Sequence, residues 1–194
     1  MKLKQKFEKV FNPKILRQNL IMASLFIAAF DNFKSNITNN VKYFYFSGYE
    51  NGKEQFKDYE KKVLSKVVGN KNKEIRSTLL WLKKNQLIAQ EDVDKFKEFT
   101  DIRNNFAHEL TKMLSDGFPE NIKEKYMEMI TLFDNIERNW IINVEMEINQ
   151  LDIPYENICW DGITSNNLEF IKIMTDVAIN KNEEYMNIVK KADV

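Results

Sequence analysis

Residues 15 to 44 carry apolar side chains at helical spacing over about thirty positions, and a run of that length confines the segment to a helix. Leu16, Leu20, Ala23, Ile27, Phe30, Phe33, Ile37, Val41 and Phe44 mark the stripe. From Leu20 to Phe30 the run is apolar almost all round, which predicts a buried central scaffold helix. A membrane span needs about twenty apolar residues and this stretch has about half that, so no membrane partner is expected. A secretory leader is no better match, because the basic start is too long and no small-x-small cleavage site precedes Asp31 and Asn32. The expected location is cytoplasmic.

Turn formers limit the rest of the chain. Five glycines and three prolines in 194 residues are too few for many hairpins, which favours long helices with few connections. The expectation is an all-α bundle of about four to six helices. Residues 1–150 would form the bundle, and residues 151–194 a loop plus an appended C-terminal helix packed on the same domain. Cys159 is the only cysteine, so no internal disulfide can form. One histidine and one cysteine also argue against a nitrogen and sulfur zinc site, and no metal or cofactor is expected.

Taken in order, residues 1–13 are basic and read as a short helix or tether, with Pro13 suited to a helix start. The aromatic cluster at residues 43–46 reads as helix-end packing or an oligomer contact, with nucleobase stacking beside a basic segment as the other reading, and runs into two turn signals, Ser47-Gly48 and Asn51-Gly52. Residues 54–68 place Phe56, Tyr59, Val63 and Val67 on one helical face, stopped by Gly69-Asn70. A helix from about Asn72 has Ile75, Leu79 and Leu82 as its stripe, widened by Leu80 and Trp81. Beyond Gly117 and Pro119, Ile122, Tyr126, Met129, Phe133, Ile136, Trp140, Val144 and Ile148 sustain another stripe. A loop with Tyr155 and Trp160 follows, then a Ser165-capped helix with Ile171, Met174, Ala178, Tyr185 and Ile188 on its face.

Formal net charge is zero, which argues against strong nonspecific nucleic-acid binding. The charges are unevenly spread, however. Residues 57–84 carry nine basic and three acidic side chains, whereas residues 116–194 carry seven basic and sixteen acidic. Such polarity can give one face a phosphate-attracting character.

The only histidine, His108, follows Arg103 by five residues, on a helix that Glu91 and Asp92 open. Val93, Phe96, Thr100, Arg103, Ala107, Leu110 and Leu114 alternate at spacings of three and four, which assigns Arg103 to a core or interface position. A cation there requires an anionic or hydrogen-bonding partner. Arg103 and His108 lie about 140 degrees apart around an ideal helix, so they would flank a groove. Asn104 stands four residues before His108 and is placed to orient its imidazole.

The run Asp101-Ile102-Arg103-Asn104-Asn105-Phe106-Ala107-His108 resembles the signature of the HEPN superfamily, in which Arg, a polar residue just after it and His sit near the end of a long helix. The likeness extends over about residues 15 to 150. It implies a metal-independent endoribonuclease in which the ribose 2′-hydroxyl attacks the adjacent phosphorus, with Arg103 and His108 as catalytic groups and Asn104 positioning. Arginine's planar fork matches phosphate oxygens, and histidine titrates near physiological pH. In-line transesterification wants a base and an acid in different places, and one imidazole cannot fill both. A homodimer with a composite site is therefore expected, on chemical grounds as well as by family. RNA would be the substrate, an antitoxin or sensor protein a partner, and toxin-antitoxin or abortive-infection defence against phage the setting. Some HEPN members bind without cleaving, so a noncatalytic module for RNA, a nucleotide or a protein stands as the alternative. A purely structural reading pairs Arg103 with a carboxylate on a neighbouring helix.

Overall fold

Asn12 begins the described chain as a helix cap: its side-chain oxygen accepts the backbone N–H groups of Lys14 and Ile15, at 3.0 and 3.3 Å, and Pro13 occupies the first turn. The computed structural model describes residues 12–149, 159 and 162–180. The readings of residues 1–11 and of Tyr155, Trp160, Tyr185 and Ile188 lie outside them.

Helix α1 (Pro13–Phe44) is the scaffold the stripe predicts, and the chain is all-α apart from one small hairpin. Met22, Ala23, Leu25, Phe26, Ala29 and Phe30 are buried in its middle, while Leu20 near its start is exposed. Strands β1 (Tyr49–Glu50) and β2 (Lys53–Glu54) pair antiparallel around Asn51-Gly52. Both turn residues have positive φ, 53° and 73°, the backbone that a tight hairpin demands and that Asn-Gly tolerates best.

Helix α2 (Lys57–Lys62) is much shorter than the residue 54–68 helix expected from its stripe. Val63 leaves helical geometry, a 3₁₀ turn spans Leu64–Lys66, and Val67 is extended. Three β-branched valines close together weaken helix propensity where Gly69 already threatens it. Tyr59 and Val63 still reach the core. Helix α3 (Lys73–Lys84) buries Ile75, Leu79 and Leu82, but Leu80 faces out.

Helices α4 (Gln90–Asp116) and α5 (Ile122–Trp140) are joined by five residues and run antiparallel. Lys125 of α5 reaches Glu98 of α4 at 3.1 Å. Gly117, at φ 103°, ends α4 and donates its N–H to the Met113 carbonyl. After Trp140 the rod widens into a π-helical turn, Ile141–Glu145, and ends with Met146–Ile148, where Ile148 is exposed rather than part of the buried stripe. Helix α6 (Asn166–Asn180) is capped by Ser165, whose oxygen accepts the Leu168 N–H at 3.2 Å. Leu168 and Ile171 of α6 are buried in the same core as the other helices.

Ring contacts fix the layout. Phe26 meets Phe106 and Tyr126, and Phe33 meets Phe96 and stacks on Phe133 at 4.7 Å. Helix α1 therefore lies between α4 and α5, antiparallel to the first and parallel to the second. At its end, the aromatic cluster packs as expected, with Phe44 against Trp81 and Trp140. Among the described residues no helix is long and apolar enough to cross a membrane.

Candidate functional site

The face of α4 that enters the core is rotated from the one its sequence suggests. Phe96, Phe99 and Phe106 are buried, whereas Thr100 and Leu114 are half-buried and Ala107 is exposed. Two phenylalanines bury far more apolar surface than threonine and alanine at the neighbouring positions, and that difference decides the phase. Arg103 keeps its place at the edge of the buried face, between Phe99 and Phe106. Its required partner is Asp31 of α1.

The pair is bidentate. Arg103 Nε donates to Asp31 Oδ1 at 3.1 Å and Nη2 donates to Oδ2 at 2.9 Å. Asp31 sits four residues after Ile27 and directly after Phe30, where the all-round apolar run of α1 ends, so its carboxylate emerges beside α4. The guanidinium has five N–H donors, of which Asp31 takes two, so the remaining edge of the fork is held in place with donors to spare. The side chains are 29% and 46% exposed, so the pair stands at the surface with a solvent-facing side.

His108 is exposed and Asn104 is half-buried. Neither side chain makes a hydrogen bond to another described residue, and the two do not bond to each other. One residue beyond His108, Glu109 departs from helical backbone (φ −121°, ψ 18°), so α4 is kinked there. His108 is thus the last residue of the straight part of the helix. It lies about 7.5 Å along the axis from Arg103 at 1.5 Å per residue. The structure gives the arginine a carboxylate from another helix and leaves the histidine open to solvent.

Asp31 was not singled out in the sequence, because the pairing joins residues 72 apart. A charge at the border of an apolar helical run was the available signal. A second polar centre was also missed. Glu137 of α5 is only 3% exposed and pairs with no cation among the described residues; Asn36 and Asn40 of α1 donate their amides to it at 2.7 and 3.1 Å. Burial pushes its carboxyl up from 4.5 to about 6, and Glu145 adds to that, while hydrogen bonds from Ser165, Asn36 and Asn40 offset part of it. The asparagines at 32, 36 and 40, one helical turn apart, were its trace in the sequence.

Among the described residues no three His, Cys, Asp or Glu side chains are grouped as a metal site needs. No family model, curated protein or solved structure matches the chain.

Proposed function

We propose that the chain is a metal-independent endoribonuclease of the HEPN type that acts as a homodimer. In this reaction a bond forms between the ribose 2′-oxygen and the adjacent phosphorus, and the bond from phosphorus to the 5′-oxygen breaks. The 2′-hydroxyl loses its proton to one His108 imidazole, and the leaving 5′-oxygen receives a proton from the His108 of a second subunit. Arg103 neutralises the phosphorane oxygens, and Asn104 positions the phosphate or the imidazole. The products are a 2′,3′-cyclic phosphate and a 5′-hydroxyl. General acid-base catalysis by such a group contributes about 10²- to 10⁴-fold. An antitoxin or sensor protein would hold the activity in check, in a toxin-antitoxin or phage-defence setting in the cytoplasm.

The observation that carries this reading is the grip of Asp31 on Arg103. It fixes a planar cation, with free donors, five residues from an exposed imidazole on the same helix. Pre-set charge of this kind stabilises developing negative charge without reorganisation. The same pair also favours a second reading, a noncatalytic helical module in which Arg103 chiefly ties α4 to α1. Incubating purified protein with total RNA, beside His108→Ala and Arg103→Ala, separates the two. The nuclease reading expects wild-type cleavage that falls at least about 100-fold in each variant. Equal cleavage by all three proteins, or none by the wild type, overturns it.

A further inference from the structure

A cluster of basic side chains lies elsewhere, at the far end of α1. A cavity of about 680 Å³ opens there between α2 and α3. Lys61, Lys62, Lys66 and Lys84 line it. Lys62 is held by Asp58 at 2.7 Å, but Lys61, Lys66 and Lys84 make no ion pair with any described residue. Three ammonium groups without an ion-pair partner around one concavity raise the local concentration of anions, and compact ammonium charges are well suited to phosphate oxygens.

The rest of the lining includes aromatic and apolar side chains. Tyr45, Leu80 and Trp81 are among them, and Leu80 is 47% exposed. Trp81 donates its indole N–H to the Tyr45 hydroxyl at 2.9 Å and packs against Phe44 and Trp140, so the wall is built before any ligand arrives. Flat rings beside lysines accept a nucleobase face on one side and its phosphate on the other.

A buried hydroxyl gives an independent sign of a missing ligand. Ser77 lines the same cavity, is 1% exposed, and its Oγ has no hydrogen-bond partner among the described residues. The next residue shows the ordinary solution on a helix: Thr78 donates to the Glu74 carbonyl at 3.0 Å. Buried hydroxyls are rarely left unbonded, and an orphan in a cavity wall calls for a partner from outside the chain.

We propose that this cavity is a nucleoside-phosphate site, with the phosphates on Lys61, Lys66 and Lys84, the base against Trp81 and Leu80, and Ser77 bonded to the ligand. Its volume falls in the range of about 300–1,000 Å³ usual for small-molecule sites. From Asp31 to Tyr45 is 14 residues of helix, roughly 20 Å at 1.5 Å each, so the site is separate from Arg103. It therefore stands whether or not the chain cleaves RNA. The nucleoside phosphate is either a free nucleotide or part of an RNA strand.

The test uses the full chain at low salt, titrated with ATP, with tripolyphosphate, and with a fluorescein-labelled 2′-O-methyl decauridylate that lacks the attacking hydroxyl. Binding of ATP or of the decauridylate is expected, tighter than tripolyphosphate and accompanied by a change in tryptophan fluorescence. ATP alone identifies a free nucleotide, the decauridylate alone a strand. Lys61→Ala/Lys66→Ala/Lys84→Ala should weaken binding at least tenfold, with Lys84→Ala alone serving if the triple variant does not fold. Ser77→Ala should weaken binding without lowering the melting temperature of the free protein, and Lys14→Ala, an exposed lysine at the opposite end of α1, should bind as the wild type does. The proposal fails if neither nucleoside probe binds, if tripolyphosphate matches both, if a folded lysine variant binds undiminished, or if Lys14→Ala weakens binding as much as the triple lysine variant does.

Discussion

Asp31 and Glu137 are two carboxylates in contact with the same stretch of α1 and α4–α5 bundle, and they are served in opposite ways. Asp31, nearly half exposed, receives an arginine fork at 2.9 and 3.1 Å. Glu137, almost fully buried, receives two asparagine amides and, among the described residues, no cation. Burying a second charge beside Glu137 would add a desolvation cost, whereas at the rim water screens an ion pair and keeps its contribution small. The cation is at the rim. That placement leaves part of the guanidinium open to solvent, while the amide-bound Glu137 is a structural knot joining α1, α5 and the residue that caps α6.

The comparison can be broken most forcefully at the knot. Asn36→Ala/Asn40→Ala leaves the Glu137 carboxylate without its amide donors, and urea unfolding at pH 7 should show a loss of about 2–4 kcal/mol. Cleavage or ligand binding at Arg103, measured well below the denaturation midpoint, should be unaffected.

A smaller effect of opposite sign comes from Glu137→Gln. The folded carboxyl, at about 6 against 4.5 unfolded, binds its proton more tightly in the native state. The contribution of Glu137 to stability is then full below about pH 4.5, is lost as pH rises through about 6, and stays lost above it. The glutamine variant lacks this decline, so it should be more stable than the wild type by up to about 2 kcal/mol at pH 7.5, with the advantage shrinking towards pH 4.5. Thermal melts across that range measure it. A constant difference at every pH would contradict the assignment to Glu137.

The smallest effect on stability belongs to Asp31→Asn. A pair this exposed contributes no more than about 1 kcal/mol, so the melting temperature should hardly move. If Arg103 acts on a phosphate, the loss of its bidentate anchor should nevertheless reduce RNA cleavage, and Asp31→Glu should restore part of it. A fall in stability without any change in activity would reduce the pair to a tie between helices.

The helices themselves were legible because each rests on local signals. Pro13 after Asn12, Gly117 after α4 and Ser165 before α6 act through their own backbone and the next few residues. The residue 54–68 segment misled because its spacing was helical while its valines and Gly69 were not, and propensity overrode the stripe. On α4 the sequence allowed two phases, since Thr100 and Ala107 pack as readily as they face water; the larger Phe99 and Phe106 take the core, with Phe106 held between Phe26 and Phe118. Arg103, Asn104 and His108 could be picked out from type and spacing. Asp31 and Glu137 could not, because their partners lie 72 and about 100 residues away and depend on how α1 is packed.

The backbone break at Glu109 divides α4 into a body and a tail. Guanidinium and imidazole both ride on the body, whose straight backbone keeps their separation constant. The tail, residues 110 to 116, takes a new direction that seats Leu110 and Met113 against the core, so the bend serves packing while the spacing of the two side chains upstream is preserved.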